Sequence, residues 1–193
     1  MSNTGGFASL ALEDLEFKIA WRKDDSQIRE DALRVWRRMK AITPSQEDER
    51  LNSLCVVAYD GEDLVGVSTV GITVYAPVRA KVAWFRCLVL PAYRKKGVAT
   101  EFAVRCKDVL EEWSKQRPAE KLMAFGTVVE TPNLGSLYKK PVWPRTGLTL
   151  VGHTKKQQQI RLVWFGHALF EARKKVSEPS SDPTFLDSAS QFN

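Results

Sequence analysis

The stretch LVLPAYRKKGVATEF, residues 88–102, contains a strand-like apolar run, a basic turn and the start of a helix. The apolar run stops at a proline, after which come Arg94, Lys95, Lys96 and Gly97. The first turn of a helix has unpaired N–H groups and partial positive charge, and a glycine lets a ligand approach the backbone closely. The stretch therefore predicts an anion-binding loop between a strand and a helix. The loop has neither the GxxxxGK[ST] nor the GxGxxG pattern, so a different phosphate-bearing ligand is expected.

The rest of the chain alternates strand and helix patterns. Seven segments have strand character: residues 17–21, 54–59, 64–74, 81–90, 122–129, 148–153 and 158–165. Helices are predicted at residues 28–39, at 45–51 with Ser45 as the cap, from 98 until Pro118 ends the helix, at 133–140 and at 166–176. An Asp60-Gly61 turn makes two of the strands a hairpin, and one strand–helix–strand crossover is parallel. This order predicts an α+β fold with a mixed sheet.

Composition fits one globular domain. The 193 residues are 44% hydrophobic and 27% charged, with a net charge of +6. No apolar run reaches the roughly 18 residues of a membrane span, and the N-terminus lacks the features of a secretory signal. We expect a flexible segment at residues 1–15, the domain at 16–176 and a disordered tail at 177–193.

The cysteines and histidines do not indicate a metal site. Cys55, Cys87 and Cys106 lack CxxC spacing, and His153 and His167 lie on different predicted elements. We therefore expect a reduced, cytoplasmic protein that uses no metal.

Residues 89–99, VLPAYRKKGVA, resemble the acetyl-CoA-binding motif of the GNAT N-acetyltransferases, whose core is Gln/Arg-x-x-Gly-x-Gly/Ala. The context strengthens the resemblance: the motif follows a strand, opens a long amphipathic helix, and is followed by a strand and the segment NLGSLY at residues 133–138. That segment looks like the family's Asn-then-Leu-Tyr helix. The resemblance covers roughly residues 17–165. It implies a single-domain GNAT acyl-CoA N-acyltransferase fold, an α/β (α+β) architecture with a mixed sheet of six to seven strands flanked by helices.

The resemblance also implies a cofactor site and a mechanism. The end of the fourth strand would bind the pantetheine arm, and a backbone N–H there would polarise the thioester carbonyl. The basic loop would hold the pyrophosphate, Asn133 would hydrogen-bond the cofactor, and Tyr138 would protonate the departing CoA thiolate. The implied acetyl-CoA-binding residues are Leu88, Val89, Leu90, Arg94, Lys95, Lys96, Gly97, Val98, Ala99, Thr100 and Asn133.

The general base expected in such an enzyme is missing from its usual places. Counting back from the Asn and Tyr positions gives Val128 or Gly126 on the fifth strand, and neither is acidic. The fourth strand offers Trp84, Arg86 and Cys87 instead of a carboxylate. Three alternatives stay open: Glu130 as the base, a chain of water molecules, or an amine that is already neutral. A covalent route through Cys87 is also conceivable, although free cysteines more often belong to cores.

The implied function is transfer of an acetyl group from acetyl-CoA to a primary amine of an unidentified acceptor. The acceptor pocket would be built from the first two helices and the last two strands, which carry Trp21, Trp36, Trp143 and Trp164. Two alternatives remain: acetylation of aminoacyl-tRNA, as by GNAT toxins, and a non-catalytic acyl-CoA-binding regulatory module. The basic charge is compatible with nucleic acid, but no motif supports it. A homodimer is a family expectation, and no membrane partner is predicted.

Overall fold

The computed structural model describes residues 12–130 and 136–170. Its seven strands form one sheet in the order β1-β2-β3-β4-β5-β7-β6. The strands are β1 Glu16–Ile19, β2 Leu54–Asp60, β3 Asp63–Tyr75, β4 Ala80–Val89, β5 Leu122–Val128, β6 Thr149–His153 and β7 Gln159–Trp164. The helices are α1 Ser26–Met39, α2 Glu47–Asn52, α3 Val98–Lys115 and α4 Ser136–Lys139. β4 and β5 are parallel and β5 pairs with β7 antiparallel, so the predicted mixed sheet with flanking helices is confirmed.

The described residues divide into two compact units, which lie within Met1–Val70 plus Arg86–Val109, and within Gly71–Phe85 plus Leu110–Asn193. In the first unit, β1 and β2 pair antiparallel, and the turn after Asp60 leads into β3. Gly61 adopts φ +59°, a conformation that glycine takes without strain. The Asp60-Gly61 turn therefore forms as the sequence predicts.

α1 covers the core of the first unit. Asp25 caps its start, because the carboxylate accepts a hydrogen bond from the backbone N–H of Ile28 at 3.0 Å. Ala32, Val35 and Trp36 recur at helical spacing and are buried against β2 and β3 residues. The helix ends where Lys40 takes a left-handed conformation, φ +50°.

The predicted cap of the next helix is wrong. Ser45 lies inside a 3-10 turn, Pro44–Gln46, that precedes α2. The backbone N–H of Thr43 donates to the side-chain oxygen of Gln46 at 3.0 Å, which satisfies one donor at the start of that turn. Pro44 is the reason, because its fixed φ favours the first position of a helical turn and moves the cap back to Thr43.

In the second unit, β5 and β7 pair from Ala124↔Trp164 to Val128↔Ile160, and β6 pairs with the outer side of β7. Val82, Ala124, Ile160 and Leu162 form the buried core of this unit. Residues 171–193, and with them the whole predicted tail and part of the last predicted helix, lie outside the described residues.

The described part of that last predicted helix, residues 166–170, is a turn followed by residues without regular secondary structure. The backbone N–H of Gly166 donates to Glu111 Oε1 at 2.8 Å, and Ser114 Oγ lies 2.9 Å from His167 Nε2. These side-chain partners on α3 hold the segment in place of the i→i−4 bonds of a helix, so the helix prediction is wrong here. No described helix is both long and apolar enough to cross a bilayer.

Candidate acyl-CoA site

β4 continues past its pairing with β5. The parallel register runs from Lys81↔Leu122 to Trp84↔Gly126, whereas β4 itself extends to Val89. Where the register ends, the hydroxyl of Thr127 donates to the carbonyl oxygen of Phe85 at 3.1 Å. A side-chain hydrogen bond thus links the two strands there.

The end of β4 is fixed within the first unit. The backbone N–H of Leu90 donates to the carbonyl of Val65 at 2.9 Å. Leu88 is half-buried, and Val89 and Leu90 are buried. These three predicted pantetheine-binding residues therefore lie on a well-anchored segment.

A 3-10 turn, Pro91–Tyr93, connects β4 to the loop that follows. The Tyr93 hydroxyl donates to Asp60 Oδ2 at 2.7 Å, which ties this turn to the β2–β3 hairpin. This hydrogen bond, together with partial burial, raises the pKa of Tyr93. The side chain of Arg94 folds back, and its Nε donates to the carbonyl of Val89 at 3.0 Å.

We call residues 94–97 the basic loop. Its side chains are exposed, and Lys95 and Gly97 both have left-handed backbones, with φ +63° and +86°. The N–H of Glu101 donates to the carbonyl of Gly97, so α3 starts directly after the loop. The N–H groups of the first helical turn then have no carbonyl partner within the helix.

This donor set fits a phosphate group. Backbone N–H groups at a helix start, next to left-handed residues and three cations, are a common arrangement for binding anions. Among the described residues, a Cβ placed on Gly97 would meet only a Leu12 methyl, at 3.7 Å, so they leave the space beside the glycine open. Val98 is buried, Thr100 is half-buried and Ala99 is exposed, so the first turn has one buried anchor.

Tyr138 lies in the second unit, on the one-turn helix α4, and its side chain is half-buried. Asn133 falls in residues 131–135, outside the described part of the chain. The predicted cofactor contact of Asn133 therefore stays a prediction.

A buried arginine holds α4, and the sequence analysis missed it. Arg161 on β7 is fully buried, and its Nη2 donates to the carbonyl oxygens of Tyr138 at 3.0 Å and Lys140 at 2.9 Å. Nη1 donates to the carbonyls of Pro141 and Leu148, and Nε donates to the side-chain oxygen of Gln159 at 2.9 Å. Burial lowers the pKa of this guanidinium, but arginine remains charged in proteins.

Two neighbours complete what we call the Arg161 network. Gln159 Nε2 donates to the carbonyl of Tyr138 at 3.1 Å. Trp143 stacks against the guanidinium at 4.5 Å, and its indole N–H donates to the carbonyl of Leu137 at 2.8 Å. The network therefore binds the carbonyl end of α4, where the helix dipole favours a positive charge.

Glu130 is exposed and follows the end of β5. Val128 is half-buried and pairs with Ile160, while Gly126 lies between Trp84 and Leu162 in the sheet. Cys87 is exposed near the end of β4, whereas Cys55 and Cys106 are buried. No group of three acidic, His or Cys side chains that could hold a metal occurs among the residues the structure describes.

The tryptophans predicted for the acceptor pocket have different environments. Trp21 and Trp36 are buried in the first unit. In the second unit, Trp143 packs on Arg161, and Trp164 is partly exposed and contacts Phe170 edge-on. Trp36 and Trp143 thus have structural partners that account for them.

The sequence as a whole matches the model of the Acetyltransferase (GNAT) family over residues 14–140. The chain belongs to the GNAT acetyltransferase family. The match includes β4, the basic loop, α3 and α4, so the elements described above are those of a GNAT domain. Among curated proteins, none is significantly similar to the chain.

A solved GNAT structure shares the fold, and two others are similar at lower scores. A GNAT family N-acetyltransferase from Escherichia coli, YhbS, solved in complex with CoA, is 16% identical over 79% of this chain and 82% of its own, with a TM-score of 0.51. A GNAT acetyltransferase from Streptococcus pneumoniae is 15% identical over 79% and 99% of the two chains, with a TM-score of 0.48. A mutant AtaT toxin bound to acetyl-CoA and to the C-terminus of antitoxin AtaR is 12% identical over 79% and 94%, with a TM-score of 0.49.

The sequence did hold one signal for the missed network. Arg161 stands between Ile160 and Leu162 in the predicted strand, and arginine is almost never fully buried unless it is paired. The carbonyl groups that pair with it lie 13 to 23 residues earlier in the chain. Their position in this GNAT domain depends on the β6–β7 hairpin, which spacing alone does not reveal.

Proposed function

We propose that the protein transfers an acetyl group from acetyl-CoA to a primary amine. The observation that carries the proposal is the course of β4: the strand runs beyond its register with β5 and leads into the basic loop and the start of α3. The family match gives acyl transfer as the reaction class. The E. coli GNAT structure that shares this fold was solved with CoA, which supports an acyl-CoA ligand here.

The binding roles follow from the donor groups. We assign the pyrophosphate to the backbone N–H groups at the basic loop and at Val98, Ala99 and Thr100, with Arg94, Lys95 and Lys96 adding positive charge. The backbone of Leu88, Val89 and Leu90 would hydrogen-bond the pantetheine arm in the manner of an added strand. Asn133 completes the proposed set.

The chemistry is direct attack by the amine. Bound acetyl-CoA supplies an acetyl thioester, and a backbone N–H at the end of β4 polarises its carbonyl, an effect worth about 3–4 kcal/mol in comparable sites. We assign the proton of the amine to Glu130, which accepts it directly or through water. Glu130 is chosen since it is the first carboxylate after β5. Tyr138 donates a proton to the departing thiolate, and the Arg161 network holds the helix that carries it.

The first test is thermal unfolding with and without acetyl-CoA, on the wild type and on Gly97→Glu. Ligand at about 100 times its dissociation constant adds about 2.7 kcal/mol to stability. We expect a clear upward shift in the wild type and none in the variant, because the new carboxylate occupies the open space and repels phosphate. Amines would then be screened for turnover.

Gly61→Glu is the matched control. Gly61 also has a positive φ, and no atom lies within 4 Å of a Cβ placed on it. The control therefore also places a glutamate at a positive φ, +59° against +86° at Gly97, and adds the same charge at a different turn, so it should keep the ligand shift. No shift in the wild type at millimolar acetyl-CoA would refute the proposal.

A further inference from the structure

A polar groove opens in the first unit, between α1 and the turn that joins β2 to β3. Its volume is about 190 Å³. This is less than the roughly 300–1,000 Å³ of pockets for drug-sized ligands, so an occupant must be small. Part of the lining, which we call the apolar floor, consists of the buried side chains of Val35, Leu64, Val65 and Leu90.

One side of the groove carries a cation, Arg38, that has no ion-pair partner among the described residues. Asp31 is buried, and its carboxylate accepts hydrogen bonds from the Tyr59 hydroxyl at 3.0 Å and from Arg34 Nη1 at 3.0 Å. The charge of Arg34 is therefore matched by Asp31. Arg38 lies one turn further along α1, is exposed, and forms no ion pair with any residue of the described chain.

The opposite side carries carboxylates. Glu62 and Asp63 line the groove from the hairpin turn and are exposed. Neither lies within salt-bridge distance of a cation in the described ranges 12–130 and 136–170. The neighbouring Asp60 is already used, because it accepts the hydrogen bond of Tyr93.

We propose that this groove binds a free α-amino acid, with its carboxylate on Arg38 and its ammonium group on Glu62 and Asp63. A simple anion would be repelled by the two carboxylates, and a simple cation would be repelled by Arg38. A small zwitterion matches both sides, and the apolar floor suits an aliphatic side chain. Because the charges are exposed, we expect a dissociation constant on the order of 1 mM.

The inference does not rest on the proposed acetyl transfer. The charged side chains proposed to bind the amino acid, Arg38, Glu62 and Asp63, are distinct from those assigned to acetyl-CoA, and Leu90 is the one residue that lines the groove and also belongs to the proposed pantetheine segment. Binding is therefore measured without acetyl-CoA, so that an amine used as an acceptor is not turned over.

The experiment is calorimetric titration with three probes: L-leucine, N-acetyl-L-leucine, which lacks the ammonium group, and L-leucinamide, which lacks the carboxylate. We expect each blocked probe to bind at least about tenfold more weakly than leucine, since each loses one charge contact. Arg38→Gln should weaken leucine about tenfold and should not weaken leucinamide, which has no carboxylate to lose a contact. Glu62→Gln/Asp63→Asn should weaken leucine similarly and should not weaken N-acetyl-leucine, which has no ammonium group to lose a contact.

Matched controls remove the same charges outside the groove. Lys40→Gln removes a cation at the end of α1, and Asp48→Asn/Glu49→Gln removes two exposed carboxylates from the first turn of α2. Both should bind leucine as the wild type does. The proposal is overturned if leucine does not bind at about 20 mM, twentyfold above that dissociation constant. It is equally overturned if leucinamide binds as well as leucine, or if neither groove variant changes leucine binding.

Discussion

At the scale of single residues, the three cysteines differ in what surrounds them. Cys87 on β4 is exposed, whereas Cys55 and Cys106 are fully buried. Burial raises the pKa of the Cys55 thiol, and the neighbouring Cys106 raises it further. The thiol therefore stays in the unreactive protonated form. We expect one thiol of the native protein to react rapidly with a disulfide reagent, and all three to react after unfolding. The number of reacted thiols is measured at neutral pH from the absorbance of the group that the reagent releases.

Cys87→Ser tests the assignment of the fast thiol. The variant should show no rapid reaction, because the two remaining cysteines lie in the core. Two or more fast thiols in the native wild type would contradict the packing around Cys55 and Cys106. If saturating acetyl-CoA slows the reaction of Cys87 with the disulfide reagent, this adds support for the proposed acyl site.

At the scale of elements, α4 is too short to be stable alone and depends on the Arg161 network. A four-residue helix has almost no hydrogen bonds of its own. Arg161→Lys keeps the charge but loses the planar fork that reaches several carbonyls at once. We expect the free energy of unfolding to fall by about 2–4 kcal/mol, measured by urea denaturation, because buried carbonyls lose their donors.

The matched control is Arg79→Lys, which makes the same change at an exposed position of the same unit. It should leave stability within about 0.5 kcal/mol of the wild type. Amide hydrogen exchange across residues 137–140 should quicken in Arg161→Lys only. Stability like that of the control would show that other contacts hold α4.

At the scale of the whole molecule, tyrosines set the response to alkaline pH. Burial raises the pKa of Tyr59, with the Asp31 hydrogen bond adding to it, and burial alone raises that of Tyr75. The hydrogen bond to Asp60 does the same for Tyr93. Each folded-state pKa lies above the unfolded value of about 10, so near that pH the native state binds more protons than the unfolded state.

This difference in bound protons sets the direction in which stability changes with pH. The tyrosine contribution to stability is complete below about pH 9 and is lost as pH rises through 10 and above. Urea unfolding from pH 7 to 11 should show this decline, and the decline should be shallower in Tyr59→Phe. An equal decline in Tyr59→Phe and wild type would contradict the Asp31–Tyr59 arrangement.

Local features of the fold could be predicted from the sequence because they rest on neighbouring residues. The apolar spacing of α1 and α3 and the Asp60-Gly61 turn each depend on a few consecutive positions. The predicted bounds of most strands and helices agree with the structure within a few residues. The helix predicted at residues 166–176 was wrong where described, because Glu111 and Ser114 bind residues 166 and 167 from 55 and 53 positions away.

The sequence by itself determined the element order, the mixed sheet and the basic loop at the start of α3, since periodicity, turn residues and a family motif are all local. Only the tertiary structure decided that β4 extends beyond the residues that pair with β5, and that Arg161 is buried next to α4. It also decided that Arg38 lines one groove with Glu62 and Asp63. Those arrangements join residues far apart in the chain. Their partners are selected by packing and by the need to satisfy buried polar groups, which no single stretch of sequence encodes.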